Sequence, residues 1–254
     1  MFSCLLAAAD GAAVSLDFQA AQAAGTLLQT LTLYLFFAGT VAMGAGALYF
    51  FLLRDDVAPE YRSTMVVAGL VCAIACFHYF KMTGVYQSGA GFPTALRYVD
   101  WLFTTPLLLV KFPLLLRLGD RGTKFFCQLV TLDVAMIVTA FIAETAPVDS
   151  QRWWTFFAIS CGFELLIVGV LFVSLGQAIA AAPAPLGKAL GTMRLFVLIG
   201  WAIYPIGFLM ARAGAGEYRE VIYNVADVIN KVGFGLVAYQ GIKAMSHHGR
   251  SAAA

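Results

Sequence analysis

The sequence predicts an all-α membrane protein, a seven-transmembrane-helix bundle with its N-terminus outside and its C-terminus in the cytoplasm. Hydrophobic residues make up 61% of the 254 residues and charged residues only 12%, against about 45–50% and ~25% in soluble proteins. The apolar residues form seven long runs, and a helix needs about 20 such residues to cross a bilayer. These runs are continuous rather than alternating, which argues against a β-barrel.

The seven predicted helices are separated by short segments rich in glycine, proline and charge, which are typical of turns. None of these segments is long enough to hold a soluble domain. We predict helices at residues 26–53, 63–83, 94–118, 124–143, 152–176, 191–212 and 219–243. The seven-helix domain then covers 26–245, between an N-terminal extracellular tail at 1–25, with a short signal as the alternative for its first residues, and a cytoplasmic tail at 246–254.

The distribution of lysine and arginine predicts the orientation, because cytoplasmic loops of membrane proteins carry an excess of these residues. Nine basic residues fall on one side of the predicted bundle and four on the other. The larger group lies on the side that holds the C-terminus, which we therefore place in the cytoplasm. The net charge of +2 is too small to suggest a nucleic-acid partner.

Several ionisable side chains fall inside the predicted helices, where a charge is costly and usually has a function. They are Arg97, Lys111, Lys231, Asp100, Asp133, Glu164, Asp227 and His78. Asp227 and Lys231 are one helical turn apart on one face of the last helix. This spacing fits a structural ion pair as well as a functional one. The sequence offers no physical explanation for the acid at Glu164.

The third predicted helix carries a row of titratable side chains on one face. Arg97, Asp100 and Thr104 lie within about a turn of each other, and Lys111 follows about 16 Å further along the same face. A path for protons through a membrane requires such a row. Two alternatives remain open: Lys111 snorkels to the cytoplasmic interface, and His78 in the second helix is an ordinary packing residue.

Three separated motifs, in the same order, resemble those of the microbial rhodopsins. Residues 97–107 (RYVDWLFTTPL) resemble the third helix of that family, and residues 201–205 (WAIYP) resemble the sixth. Residues 227–231 (DVINK) resemble the seventh, which ends in the lysine that carries retinal. His78, 22 residues before Asp100, resembles the histidine of the proteorhodopsin branch. Residues 111–116 (KFPLLL) match a smaller bacterial group with lysine at the proton-donor position.

The resemblance implies a role for each charged residue of the candidate site. Lys231 would bind all-trans-retinal covalently as a protonated Schiff base, with Asp100 as its counterion and proton acceptor. Asp227 would be the second counterion, and Arg97 would lie below both acids. His78 would share the proton of Asp100.

The same resemblance implies roles for neighbouring residues. Thr104 would form a hydrogen bond near Asp100, Thr105 would bond to Asp133, and Lys111 would occupy the donor position. Leu108 would be the colour-tuning residue, where leucine implies green absorption. Thr105 and Leu108 would also line the retinal pocket, together with Trp101, Met136, Ser160, Trp201, Tyr204, Pro205 and Phe208.

The function that the resemblance implies is light-driven outward proton pumping in the bacterial inner membrane, by an ion transporter rather than an enzyme. Asp100 with Thr104 is the proton-pump arrangement, whereas chloride and sodium pumps of the family lack the acid at that position. A photosensor is the alternative, although no charged helical extension after Ser246 suggests a fused transducer. A transporter without retinal, with Asp227 and Lys231 as a plain ion pair, is a third class.

The predicted partners are membrane lipid and protons, with homo-oligomers left open and no metal site indicated. No carboxylate pair for proton release is evident near Arg219. We therefore predict that protons leave through Asp100 and His78.

Overall fold

Seven long apolar helices make up most of the computed structural model, which describes residues 26–251 and, of these, the side chains of 26–245. The described chain thus contains seven helices that are long and apolar enough to span a membrane, as predicted. They are α1 (Leu27–Asp56), α2 (Pro59–Gln87), α3 (Thr94–Leu116), α4 (Asp120–Glu144), α5 (Gln151–Ser174), α6 (Ala184–Arg212) and α7 (Gly216–Met245). The last helix continues to Ser251, into the predicted tail, and the tail at 1–25 lies outside the described residues.

Five helices (α2, α4, α5, α6 and α7) begin earlier than predicted, and α6 differs most. Helix α6 starts at Ala184 instead of residue 191, with Pro185 in its first turn. Proline is tolerated there, because backbone N–H groups in the first turn have no acceptor within the helix, so the missing N–H of proline breaks no hydrogen bond. Helix α4 starts at Asp120 instead of residue 124. The turn before it is completed by Arg117 and Gly119, whose φ values are 51° and 56°.

The helices pack in a ring that follows the order of the chain. Contacts join α1 to α2, α2 to α3, α3 to α4 and α4 to α5, while α7 packs against both α6 and α1. Helices α3 and α7 therefore meet across the interior of the bundle, where their buried polar residues lie. Large apolar side chains such as Leu52 and Val173 point outwards and are more than three-quarters exposed, which suits a surface covered by lipid.

Three of the helices contain a π-helical segment, at Val170–Ser174 in α5, Phe196–Gly200 in α6 and Ile229–Gly233 in α7. Segments of this kind occur frequently at functional sites, and the one in α7 contains Lys231. The π segments of α6 and α7 meet where Asn230 donates a hydrogen bond of 3.1 Å to the carbonyl of Gly200. A Cβ atom on Gly200 would lie 2.2 Å from Asn230 Oδ1, so only glycine permits this approach.

Candidate functional site

A buried amine between two buried carboxylates forms the centre of the candidate site. Lys231 Nζ lies 2.6 Å from Asp100 Oδ2 and 3.1 Å from Asp227 Oδ2. None of these residues is more than 2% exposed. The helical spacing predicted that Asp227 and Lys231 share a face of α7, and the packing of α3 against α7 brings Asp100 to the same amine.

Asp227 is held by three hydrogen-bond donors from three different helices. Tyr204 Oη donates to Oδ1 at 2.6 Å, Trp101 Nε1 donates to Oδ1 at 3.3 Å, and Tyr79 Oη donates to Oδ2 at 2.9 Å. These bonds fix the orientation of the carboxylate and occupy both of its oxygens. Tyr79 was not among the predicted site residues, because an isolated tyrosine in an apolar helix gives no signal in the sequence.

The carboxylate of Asp100 has fewer hydrogen-bond partners than that of Asp227. Its Oδ2 faces Lys231, whereas its Oδ1 has no hydrogen-bond partner among the described residues. His78 Nδ1 lies 3.5 Å from Oδ1, so the predicted neighbour is present, but this nitrogen makes its hydrogen bond to the carbonyl of Ile74 at 2.9 Å. Thr104 Oγ1 donates to the backbone carbonyl of Asp100 at 2.9 Å rather than to its carboxylate. Of the two acids, Asp100 has the open acceptor oxygen.

Arg97 connects the central carboxylates to a second buried acid. Its Nη1 lies 3.8 Å from Asp227 Oδ2, and its Nη2 donates to Glu220 Oε2 at 2.7 Å and to Asn224 Oδ1 at 2.6 Å. Glu220 is completely buried. Sequence reasoning missed Glu220, although it precedes Asp227 by seven residues and so lies two turns away on the same face of α7.

Arg219 extends this network towards the end of the bundle where α7 begins. It donates to Glu220 Oε1 at 3.2 Å and to Glu144 Oε1 at 2.9 Å. The statement that no carboxylate pair lies near Arg219 is therefore wrong. Glu144 is the last residue of α4, 75 residues from Arg219 along the chain, and only the packing of the helices brings these residues together.

Lys111 is completely enclosed within the bundle. Its side chain has no solvent exposure, and its Nζ has no hydrogen-bond partner among the described residues. The Nζ lies 5.1 Å from the centre of the Phe234 ring of α7. The alternative in which Lys111 snorkels to the interface is wrong, because its amine points into the protein.

A hydrogen bond predicted between α3 and α4 is present. Thr105 Oγ1 lies 2.7 Å from Asp133 Oδ2, and both residues are buried. Ser160 of α5 donates from its Oγ to the carbonyl of Met136 at 2.9 Å. These two bonds tie α3, α4 and α5 together beside the central site.

A cavity opens next to Lys231. Its wall is mostly apolar and aromatic, and it includes every residue that was predicted to line the pocket. These are Trp101, Thr105, Leu108, Met136, Ser160, Trp201, Tyr204, Pro205 and Phe208. Glu164 also lines the cavity, together with Phe157 and Cys161, which were not predicted to do so.

A profile of the family described as "Bacteriorhodopsin-like protein" matches residues 30–245. The chain belongs to this family. The green-light absorbing proteorhodopsin of Gamma-proteobacterium EBAC31A08 is 33% identical to this bacteriorhodopsin-like protein over 206 residues, which are 79% of this chain and 82% of the relative.

Solved structures show the same relationship. The crystal structure of Exiguobacterium sibiricum rhodopsin is 46% identical, with a TM-score of 0.79, and the match covers 85% of this chain and 97% of that one. Xanthorhodopsin, described as a light-driven ion pump with dual chromophore, is 31% identical with a TM-score of 0.81. That match covers 87% of this chain and 95% of xanthorhodopsin. The bacteriorhodopsin-like protein is thus a multi-pass membrane protein with the rhodopsin fold.

Members of the bacteriorhodopsin-like family bind retinal, and the residues of this chain fit that group. A polyene aldehyde requires an apolar cavity and an amine, and here Lys231 is an amine in the wall of such a cavity. The unpartnered Oδ1 of Asp100 lies beside the amine and is available to a proton donor. When bound, retinal supplies the absorption of visible light and a change of shape that the protein can use.

Proposed function

We propose that this protein is a light-driven outward proton pump of the bacterial inner membrane, with retinal bound to Lys231 as a protonated Schiff base. One observation supports this proposal most strongly: the Lys231 amine lies in the wall of an apolar cavity, 2.6 Å from a carboxylate that has an open acceptor oxygen. A structural ion pair alone would not need an apolar cavity at its amine.

The central proton transfer in this proposal runs from Lys231 Nζ to Asp100. Asp227 is the second counterion, and it keeps its charge because three donors hold both of its oxygens. Asp100 accepts the proton because only one of its oxygens is hydrogen-bonded. His78, 3.5 Å away, then shares that proton and stabilises the protonated pair.

The outward path in this proposal continues through the arginine–glutamate network. Arg97 joins Asp227 to Glu220, and Arg219 joins Glu220 to Glu144. Burial decreases along this series, because Glu220 is completely buried while the side chain of Glu144 is 20% exposed. The network therefore reaches the surface at the end where α7 begins, which the predicted orientation places outside the cell.

Lys111 is the proton donor on the opposite side in this proposal, as in the bacterial group with lysine at that position. It follows Asp100 by 11 residues, or about 16 Å along α3 in the direction of the predicted cytoplasm. Its amine has no hydrogen-bond partner among the described residues and lies near Phe234. After Lys231 loses its proton, Lys111 takes one from the cytoplasmic side and passes it inwards.

The test is illumination of unbuffered cells that express the protein in the presence of retinal. Outward pumping acidifies the medium, a protonophore abolishes the change, and Lys231→Ala gives colourless cells with no light response. A visible band that persists in Lys231→Ala would refute the retinal attachment. A coloured wild type that bleaches and recovers without any change in pH would refute the pump and favour the photosensor.

A further inference from the structure

Glu164 is an acid at mid-bilayer depth that the proposed pump does not use. It follows the start of α5 by 13 residues and precedes its end by 10, or about 20 Å and 15 Å along the axis. A glutamate side chain is too short to reach either interface by snorkelling. Its carboxyl group therefore stays at a depth where an ionisable group is costly and usually has a function.

The carboxyl group of Glu164 makes no hydrogen bond in the described part of the chain, residues 26–245, where its neighbour is the thiol of Cys161. No hydrogen bond or ion pair joins it to another side chain or to the backbone. The hydroxyl of Ser160, one turn earlier on α5, is engaged with the carbonyl of Met136. Glu164 is only partly buried, but a polar group that is away from water and makes no hydrogen bond is costly, so its missing partner requires an explanation.

Glu164 and Lys231 line one cavity from different helices. Both residues line it, but Glu164 is on α5, which packs against α4, while Lys231 is on α7, which packs against α6 and α1. A retinal attached at Lys231 has its aldehyde carbon fixed on the α7 side. The hydrocarbon ring at its other end would then lie near the α5 residues of the wall, among which Glu164 is the acid.

We propose that the cavity selects a retinal whose ring carries an oxygen atom, as a hydroxyl or a keto group, and that Glu164 is the residue that selects it. This inference rests on the proposed retinal attachment at Lys231. A protonated carboxyl group donates a hydrogen bond to either kind of oxygen, and an ionised one accepts a hydrogen bond from a hydroxyl group.

Selection follows from the cost of an unsatisfied polar group. Unsubstituted retinal has a hydrocarbon ring and leaves the carboxyl group of Glu164 without a hydrogen bond, whereas an oxygenated ring supplies one. Sites built to bind a polar group reject the analogue that lacks it for this reason. One hydrogen bond of ordinary strength corresponds to about a three- to tenfold preference.

The experiment is a competition for the apoprotein in membranes, without any measurement of pumping. Equal amounts of all-trans-retinal and all-trans-3-hydroxyretinal are added, and a second series uses 4-oxoretinal as the competitor. Bound chromophores are released with hydroxylamine and quantified as oximes by chromatography. The ratio found in wild type is divided by the ratio in Glu164→Leu, which cancels differences in partitioning between the retinals.

We expect the ratio of oxygenated to unsubstituted retinal to be about three- to tenfold higher in wild type than in Glu164→Leu, for one or both competitors. Glu164→Gln keeps part of this preference, because an amide also donates and accepts. Leu165→Val is the matched control, since Leu165 adjoins Glu164 but is 69% exposed, and its ratio should equal that of wild type.

Two results overturn the proposal in distinguishable ways. If wild type and Glu164→Leu bind unsubstituted retinal and give the same ratio with both competitors, ring selection by Glu164 is refuted while retinal attachment stands. If wild type releases no oxime of any retinal, the attachment at Lys231 fails, and the selection fails with it.

Discussion

Removal of the buried acid Glu220 should destabilise the protein far more than removal of an exposed acid. In Glu220→Gln, the amide keeps the shape of the side chain but loses the charge that faces both Arg97 and Arg219. Breaking a buried ion pair from one side costs about 3–5 kcal/mol. Arg97 retains Asn224, and Arg219 retains Glu144, so we expect the lower end, about 3 kcal/mol.

The matched control is Asp149→Asn, which breaks the ion pair of Asp149 with Arg212. Those side chains are 50% and 41% exposed, and exposed pairs contribute about 1 kcal/mol or less. Reversible unfolding of the pigment from mild detergent into SDS, followed by loss of the visible band, measures both free energies of unfolding. Equal losses in the two variants would refute the argument that burial makes Glu220 important.

Three further predictions concern α3. Lys111→Ala should slow reprotonation of Lys231 by ~10²-fold in flash photolysis, as expected when a positioned proton donor is lost. Leu108→Gln should shift the visible band to shorter wavelength, because it places a polar group in the cavity wall, and an absorption spectrum measures this. Thr105→Val should lower the free energy of unfolding by about 1–3 kcal/mol, because it leaves Asp133 without its hydrogen bond.

Each of these predictions has an outcome that contradicts it. Reprotonation of Lys111→Ala at the wild-type rate across the neutral pH range would remove Lys111 from the proton path. An unshifted band in Leu108→Gln would mean that Leu108 does not contact the chromophore. Thr105→Val with wild-type stability would show that water replaces the lost hydroxyl group.

The parts of the site that could be predicted are those set by spacing within one helix or by a sequence motif. Hydropathy predicts the number of helices, and the interval of four residues predicts that Asp227 and Lys231 are neighbours. The junctions between helices were predicted less accurately, since Pro185 falls between two predicted helices but lies in the first turn of α6.

The parts that were missed depend on packing between helices that are distant in the sequence. Tyr79 reaches Asp227 across 148 residues, and Arg97 reaches Glu220 across 123. Glu220 and Glu144 were missed because both occur near helix ends, where an acid is ordinarily solvated. No pattern within a single helix distinguishes such an acid from one that a neighbouring arginine buries.

The position of Lys231 in the last helix has a consequence for biosynthesis. Asp100 enters the membrane with α3, and 131 residues separate it from the lysine that balances its charge. A chain that stops before α7 therefore holds the carboxyl group of Asp100 without its cation, and it also lacks the α7 wall of the cavity. Under the proposed attachment of retinal to Lys231, chromophore uptake can begin only when synthesis of the chain is nearly complete, and the appearance of colour would report that the whole bundle has been inserted.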